Sequence, residues 1–220
     1  MENPVKNQTE FTVREYKIFV VLSAVMITSY LTANIMAVKL ISIFGITMFD
    51  AGTITFPISY LLGDVITEVY GFKNARRLII LTFFCSIFLA AATSAGLLLP
   101  SPEFAAETAE AYSVVFSFVP RILFASLTAF LAGELINAWT MEKIKKRTSG
   151  KHLWLRTVGS SAFGYLADTV LFVFIAFTAP LKDLLTMTAA QYLLKMLLEA
   201  LCATPVSYIL IRWIKKGADL

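Results

Sequence analysis

Five carboxylates, Asp64, Glu68, Glu134, Asp168 and Glu199, stand inside long apolar stretches of this 220-residue chain. A charge at the centre of a lipid-embedded helix costs about 2.5–3.5 kcal/mol even on permissive insertion scales, so such residues mark sites. Asp64 and Glu68 are four positions apart and stack on one helix face. Lys73, Arg76 and Arg77 follow closely, which leaves two readings of the pair: partners of these cations, or members of a proton or substrate pathway. Glu134 and Asn137, three apart, turn a carboxylate and an amide toward one space. They can read the donor and acceptor edge of a heterocycle, or clamp two helices together. Ser161, Gly164 and Asp168 share a face at i, i+3 and i+7, with Arg156 and Ser160 nearer one end. Small residues there permit close helix approach or leave room for a ligand. Lys195 and Glu199 repeat the four-residue spacing with opposite charges, so an ion pair along their own helix is expected. Asn34, with Ser23 and Tyr30 on about the same stripe, adds an amide to the first apolar stretch.

Catalytic constellations are thin by comparison. In GSSAFG, Gly159 to Gly164, no glycine follows the serine as an intramembrane serine nucleophile loop requires, and the single histidine, His152, lies between apolar blocks. The two cysteines, Cys85 and Cys202, form neither a disulfide framework nor a zinc-ligand spacing. A phosphate-binding glycine loop and a paired-histidine motif are also lacking from the sequence, so no enzyme activity, cofactor or metal is expected. An ATP-driven pump would take its nucleotide domain from another chain.

The elements that must carry these residues follow from composition. Hydrophobic residues make up 58% of the sequence and charged ones 15%; the mean hydropathy is +0.74. The apolar residues gather in blocks of membrane length, which predicts an all-α integral membrane protein, one bundle of six transmembrane helices, with the bilayer as its surroundings. The expected spans are about 17–38, 53–72, 76–99, 114–141, 157–180 and 188–214. Of nineteen Lys and Arg residues, fifteen fall before span one, between spans two and three, between spans four and five, or after span six. By the excess of positive charge on the inner side, both termini face the cytoplasm. The net charge of +4 is spread between apolar blocks, which gives no basic face for nucleic acid. Pro100, Pro102 and Pro180 close spans, Pro57 sits in a first helical turn, and Pro205 falls within span six, where a local kink is expected.

Four stretches together resemble the queuosine precursor transporters, a vitamin uptake transporter family. They are TANIMAVKL (Thr32 to Leu40), FPISYLLGDVITEVYGFKNARR (Phe56 to Arg77), RILFASLTAFLAGELIN (Arg121 to Asn137) and LWLRTVGSSAFGYLADTVLFVFIAF (Leu153 to Phe177). The DxxxEVYGxxxAR element and the LWLR…GSS…D element carry most of the resemblance. One departure stands in span four, where many members have glutamine followed by a nearby aspartate and this chain has Glu134 and Asn137. The resemblance implies import, across the bacterial cytoplasmic membrane, of a 7-deazaguanine such as 7-cyano-7-deazaguanine or queuine, salvaged for queuosine in tRNA.

The energy for such import has two candidate routes. One is secondary transport with a proton taken up by a mid-membrane acid, Asp168, Glu134 or Glu199. The other is a substrate-binding subunit of an energy-coupling-factor transporter, whose small six-helix subunits this chain also resembles. Ala33 and Ala37 in span one would give such a partner a close docking stripe. A homo-oligomer is open on either route.

Overall fold

A computed structural model describes residues 13–148 and 153–216. Among the described residues eight α-helices run in the order α1 (Val13–Met36), α2 (Phe56–Tyr70), α3 (Phe72–Leu97), α4 (Ala106–Phe116), α5 (Val119–Arg147), α6 (Leu153–Ala176), α7 (Leu181–Leu198) and α8 (Thr204–Lys216). Among the described residues, five stretches are long and apolar enough to cross a membrane: Val13–Met36, Lys73–Leu97, Glu103–Asn137, Val158–Ala176 and Leu181–Cys202. The protein is therefore a multi-pass, mainly helical membrane protein. The expected second span is a shorter helix: α2 has 15 residues, or roughly 22 Å at 1.5 Å per residue.

The shortening has a cause that the all-α expectation missed. Between α1 and α2 the chain forms an antiparallel hairpin, β1 (Leu40–Ile43) and β2 (Ile46–Asp50), in which Ile43 pairs with Ile46 across a two-residue turn. Phe44 and Gly45 both have positive φ, 53° and 76°, the geometry of the primed turns whose twist matches that of the strands. The β-branched residues of LISIFGITMFD favour extended backbone on each side of that turn. Asp50 ends β2 and caps the 3-10 turn Ala51–Ile54, its side chain accepting from the Thr53 N–H. This delivers the chain to Pro57 in the first turn of α2. At the other end of α2, Gly71 at φ 80° makes the sharp corner into α3, a backbone angle that glycine adopts without a Cβ penalty.

The remaining joints also differ in detail from simple spans. The expected fourth span divides into α4 and α5, with Pro120 in the first turn of α5. The expected sixth divides into α7, a π-helical turn at Glu199–Ala203, and α8. Pro205 lies two residues past that turn, in the first turn of α8; its missing N–H and its ring disfavour the regular α ladder behind it, and a π-turn is one way the backbone absorbs the break. Arg121 at the start of α5 donates through Nε to the Ile175 carbonyl and through Nη1 to Thr178 Oγ1, both at 2.8 Å, which satisfies the end of α6.

Packing fixes the relative heights of these helices. Leu22, Met26, Leu62, Val65, Ile66, Tyr70 and Leu78 join α1, α2 and α3, with Ile214 of α8. Ala37, Ile122, Ala125 and Ala176 join α1, α5 and α6 on the hairpin side. Helices α5 and α6 approach most closely at Gly133 and Gly164: a Cβ on Gly164 would lie 2.9 Å from Asn137 Cβ and 3.0 Å from the Gly133 carbonyl oxygen. Since lipid is as apolar as the side chains, such close van der Waals contact and interhelical hydrogen bonds hold the bundle together. Phe84, Phe88, Phe124, Leu135 and Ile209 are exposed and suit the lipid-facing surface. Trp139 and Trp213 are exposed beneath Lys143 and Arg14 respectively, as suits residues of an interfacial belt.

Candidate functional site

Two polar side chains of α7 organise the interior. Lys195 Nζ donates to Asp168 Oδ2 on α6 at 2.7 Å and to Thr169 Oγ1 at 3.3 Å. Its ammonium also lies 4.9 Å from the centre of the Phe56 ring, within cation–π range. One turn earlier, Gln191 Nε2 donates to Asp50 Oδ2 at the base of the hairpin. Gln191 is fully buried, and its Oε1 has no hydrogen-bond partner.

These groups line a narrow cleft between α1, the hairpin end, α2, α5, α6 and α7. Asn34, Asp50, Ser126, Asp168, Gln191 and Lys195 supply its polar lining; Phe56 and Phe172 supply rings. Asn34 is anchored by donating its amide to the Tyr30 carbonyl at 2.8 Å, and Ser126 is tied to the Tyr30 hydroxyl at 2.8 Å. The cavity thus offers an ammonium, two amides and two carboxylates beside aromatic faces. Such a set suits a flat polar molecule with donors and acceptors on its edges.

The sequence expectations meet this geometry unevenly. Asn34, Asp168 and Lys195 come together in the cavity. The expected ion pair of Lys195 with Glu199 does not form: Lys195 reaches across to Asp168, and Glu199, at the start of the π-turn, accepts the Tyr165 hydroxyl at 2.9 Å. The contact across helices wins because Asp168 is buried opposite α7, where an unpaired charge would be costly on either side. Gly164, offered as either close approach or ligand room, serves close approach. Ser160 and Ser161 are buried on α6, outside the walls of this cavity. Asn137 faces the α5–α6 contact with a buried, unpartnered Oδ1. Asp64 and Glu68 share an exposed face of α2, and Asp64 lines a second cavity further along the bundle. The side chains of Glu134 and Arg156 lie outside the described residues, although their backbones continue α5 and α6.

Asp50 and Gln191 are site residues that the sequence reading passed over. Asp50 falls between the expected first and second spans, and the hairpin carries it back into the bundle. Gln191 is a neutral amide, four residues before Lys195 in TAAQYLLK, and that spacing was the available signal. Ala33 and Ala37, expected as an outward docking stripe, are buried within the chain; a Cβ on Gly52 would overlap the Ala33 carbonyl.

Charged and amide side chains gathered around one cavity in a bundle of membrane-length helices suit a membrane protein that handles a polar solute. Sequence comparison agrees: the family described as "putative vitamin uptake transporter" matches residues 50–210, and the chain belongs to that family. A Bacillus subtilis protein named "probable queuosine precursor transporter" is 30% identical over 179 residues, 80% of this chain and 77% of that protein. A Haemophilus influenzae protein of the same name is 29% identical over 57% of this chain and 51% of its own length. The Escherichia coli "queuosine precursor transporter" is 26% identical over 57% and 54% respectively. This chain therefore spans about half the length of the latter two. No solved structure matches it.

Proposed function

We propose that this protein imports a queuosine precursor, 7-cyano-7-deazaguanine or a related 7-deazaguanine, across the bacterial cytoplasmic membrane for tRNA queuosine salvage. The observation that carries the reading is the Asp50–Gln191 and Asp168–Lys195 pairing around one cavity beside Phe56 and Phe172. A deazaguanine edge presents N1–H and an exocyclic amine, which a carboxylate accepts in bidentate fashion, and a carbonyl to which an ammonium or amide donates. Hydrogen bonds to charged groups contribute about 1.5–3 kcal/mol each, and a site that pairs both donors rejects analogues lacking them. The names of the three relatives support the same substrate class.

In this reading six segments cross the membrane, with α2 as the short sixth, and both termini face the cytoplasm. Uptake is secondary, driven by a proton that one of the buried carboxylates takes up. The alternative, a binding subunit served by an external ATPase, loses its docking stripe because Ala33 and Ala37 pack internally. The deciding experiment is growth of a queuosine-auxotrophic host on limiting 7-cyano-7-deazaguanine, scored by queuosine in tRNA. Expression of this chain restores the modification; if it does not while a queuosine precursor transporter does, the substrate assignment fails. Uptake that survives collapse of the proton gradient at constant ATP defeats the secondary mechanism.

A further inference from the structure

A second cavity, about 730 Å³ with its opening, lies between α1, α2, α3 and α5. Along three helices its lining and that of the first cavity occupy successive levels in a consistent order. On α1, Asn34 faces the first cavity and Tyr30 and Met26 the second; on α2, Phe56 faces the first and Tyr60, Gly63 and Asp64 the second; on α5, Ser126 faces the first and Phe130 the second. Residues four apart differ in height by about 5.4–6 Å. The second cavity therefore sits one to two helical turns beyond the first, away from the hairpin.

Aromatic rings stand at the level between them. The ring centres of Tyr30 and Phe56 are 5.9 Å apart, those of Phe56 and Tyr60 4.9 Å, and those of Tyr60 and Phe130 5.8 Å. Phe130 closes back on Tyr30 at 6.0 Å. The Tyr30 to Ser126 hydrogen bond fastens this group to α5 on the first cavity's side. Beyond it, Asp64 gives a carboxylate, and Ser59 and Thr82 give hydroxyls, in a wall otherwise built from rings and aliphatic groups.

We infer that the second cavity is a second station for the same planar heterocycle, separated from the first by the Tyr30–Phe56–Tyr60–Phe130 partition, with Asp64 as its polar anchor. The inference rests on the import reading for the identity of the molecule, but the two-chamber geometry stands apart from it. The rings touch one another, so a flat base passes between stations only when they part, and stacking on the freed ring faces then offsets the contacts it breaks. On this inference each chamber is reached from its own side of the membrane.

The test uses single cysteines in a chain whose Cys85 and Cys202 are replaced by alanine. Phe172→Cys marks the first cavity and Gly63→Cys the second, where an added Cβ meets only the Met26 methyl at an ordinary 3.6 Å. In right-side-out and inside-out vesicles, a membrane-impermeant methanethiosulfonate is expected to label each position from a different side. Labelling of both from one side, or no labelling of Gly63→Cys from either, overturns the two-chamber inference whatever the substrate is. Asp64→Asn is expected to cut uptake of 7-cyano-7-deazaguanine at least tenfold while its equilibrium binding changes less than threefold. Uptake by Asp64→Asn at the wild-type rate overturns the second station. A wild-type protein that moves no deazaguanine defeats the import reading alone, and the labelling pattern still decides the chambers.

Discussion

Lys195 Nζ lies 2.7 Å from Asp168 Oδ2, joining α7 to α6 through a buried ion pair in the wall of the polar cavity. Taking one partner away leaves a buried charge without its counter-charge, at a cost of about 3–5 kcal/mol. For a chain of this length, that corresponds to roughly 6–20 °C in Tm. Asp168→Asn should therefore lose both uptake and thermal stability in detergent. The double variant Asp168→Asn with Lys195→Gln should recover most of the stability and none of the uptake. Recovery of transport in the double variant would show that the pair is structural.

Gln191 holds Asp50 with its amide nitrogen and keeps a buried, unpartnered carbonyl oxygen. Gln191→Met keeps the volume but removes both functions; Thr53 still donates to Asp50. Loss of the neutral acceptor that its Oε1 offers a substrate N–H, about 0.5–1.5 kcal/mol, should raise the substrate Kd roughly 2- to 12-fold. Isothermal titration of the purified protein with 7-cyano-7-deazaguanine checks this, and an unchanged Kd would remove Gln191 from the site.

The hairpin separates positioning from mere connection. A Cβ on Gly52 would overlap the Ala33 carbonyl and come 2.9 Å from Asp50 Oδ1, so Gly52→Ala should displace Asp50 and lower uptake more than tenfold. Gly45, at φ 76°, has open space around it, and Gly45→Ala meets only the left-handed backbone penalty of about 1–2 kcal/mol. Its uptake should stay near wild type. Equal losses in the two variants, compared at matched protein levels, would contradict the role given to Asp50.

Helices α5 and α6 touch through backbone at Gly133 and Gly164, and there is no flexible side chain to yield when Gly164 gains a methyl. Gly164→Ala should cost about 1–3 kcal/mol by overpacking and disturb Asp168, which lies one turn on and also packs against Gly133. Gly63→Ala, with ordinary contact to Met26, serves as the control. Thermal melting of the two purified variants should differ clearly; equal Tm values would mean that the helix contact adapts.

Much of this arrangement was legible in the sequence, and the exceptions share a cause. Hydropathy found the helical class and the approximate extent of α1, α3, α5 and α6, because membrane-length apolar blocks have few alternatives. Intramembrane charge singled out Asp168 and Lys195. Their pairing was missed since i,i+4 spacing on one helix says nothing about a carboxylate on its neighbour. Asp50 was missed because LISIFGITMFD reads as apolar loop unless the alternating β-branched residues about Phe44-Gly45 are recognised as strands. The split of the last stretch was visible as Pro205, although proline alone does not specify a π-turn over a kink.

Asn137 gives the sharpest choice between the two readings of a membrane amide. Its Oδ1 is buried without a partner, and its Cβ abuts Gly164. An amide that clamps helices should lower stability when removed, by about 0.6 kcal/mol on average in membrane proteins. A buried acceptor left unsatisfied carries a desolvation cost instead, so an apolar residue of similar size relieves it. Asn137→Leu should therefore melt at or above the wild-type temperature. If the orphaned oxygen is reserved for the moving substrate, the same variant should lose uptake by tenfold or more. A stable variant with full uptake would assign Asn137 no part in transport, and a destabilised one would return it to the clamp.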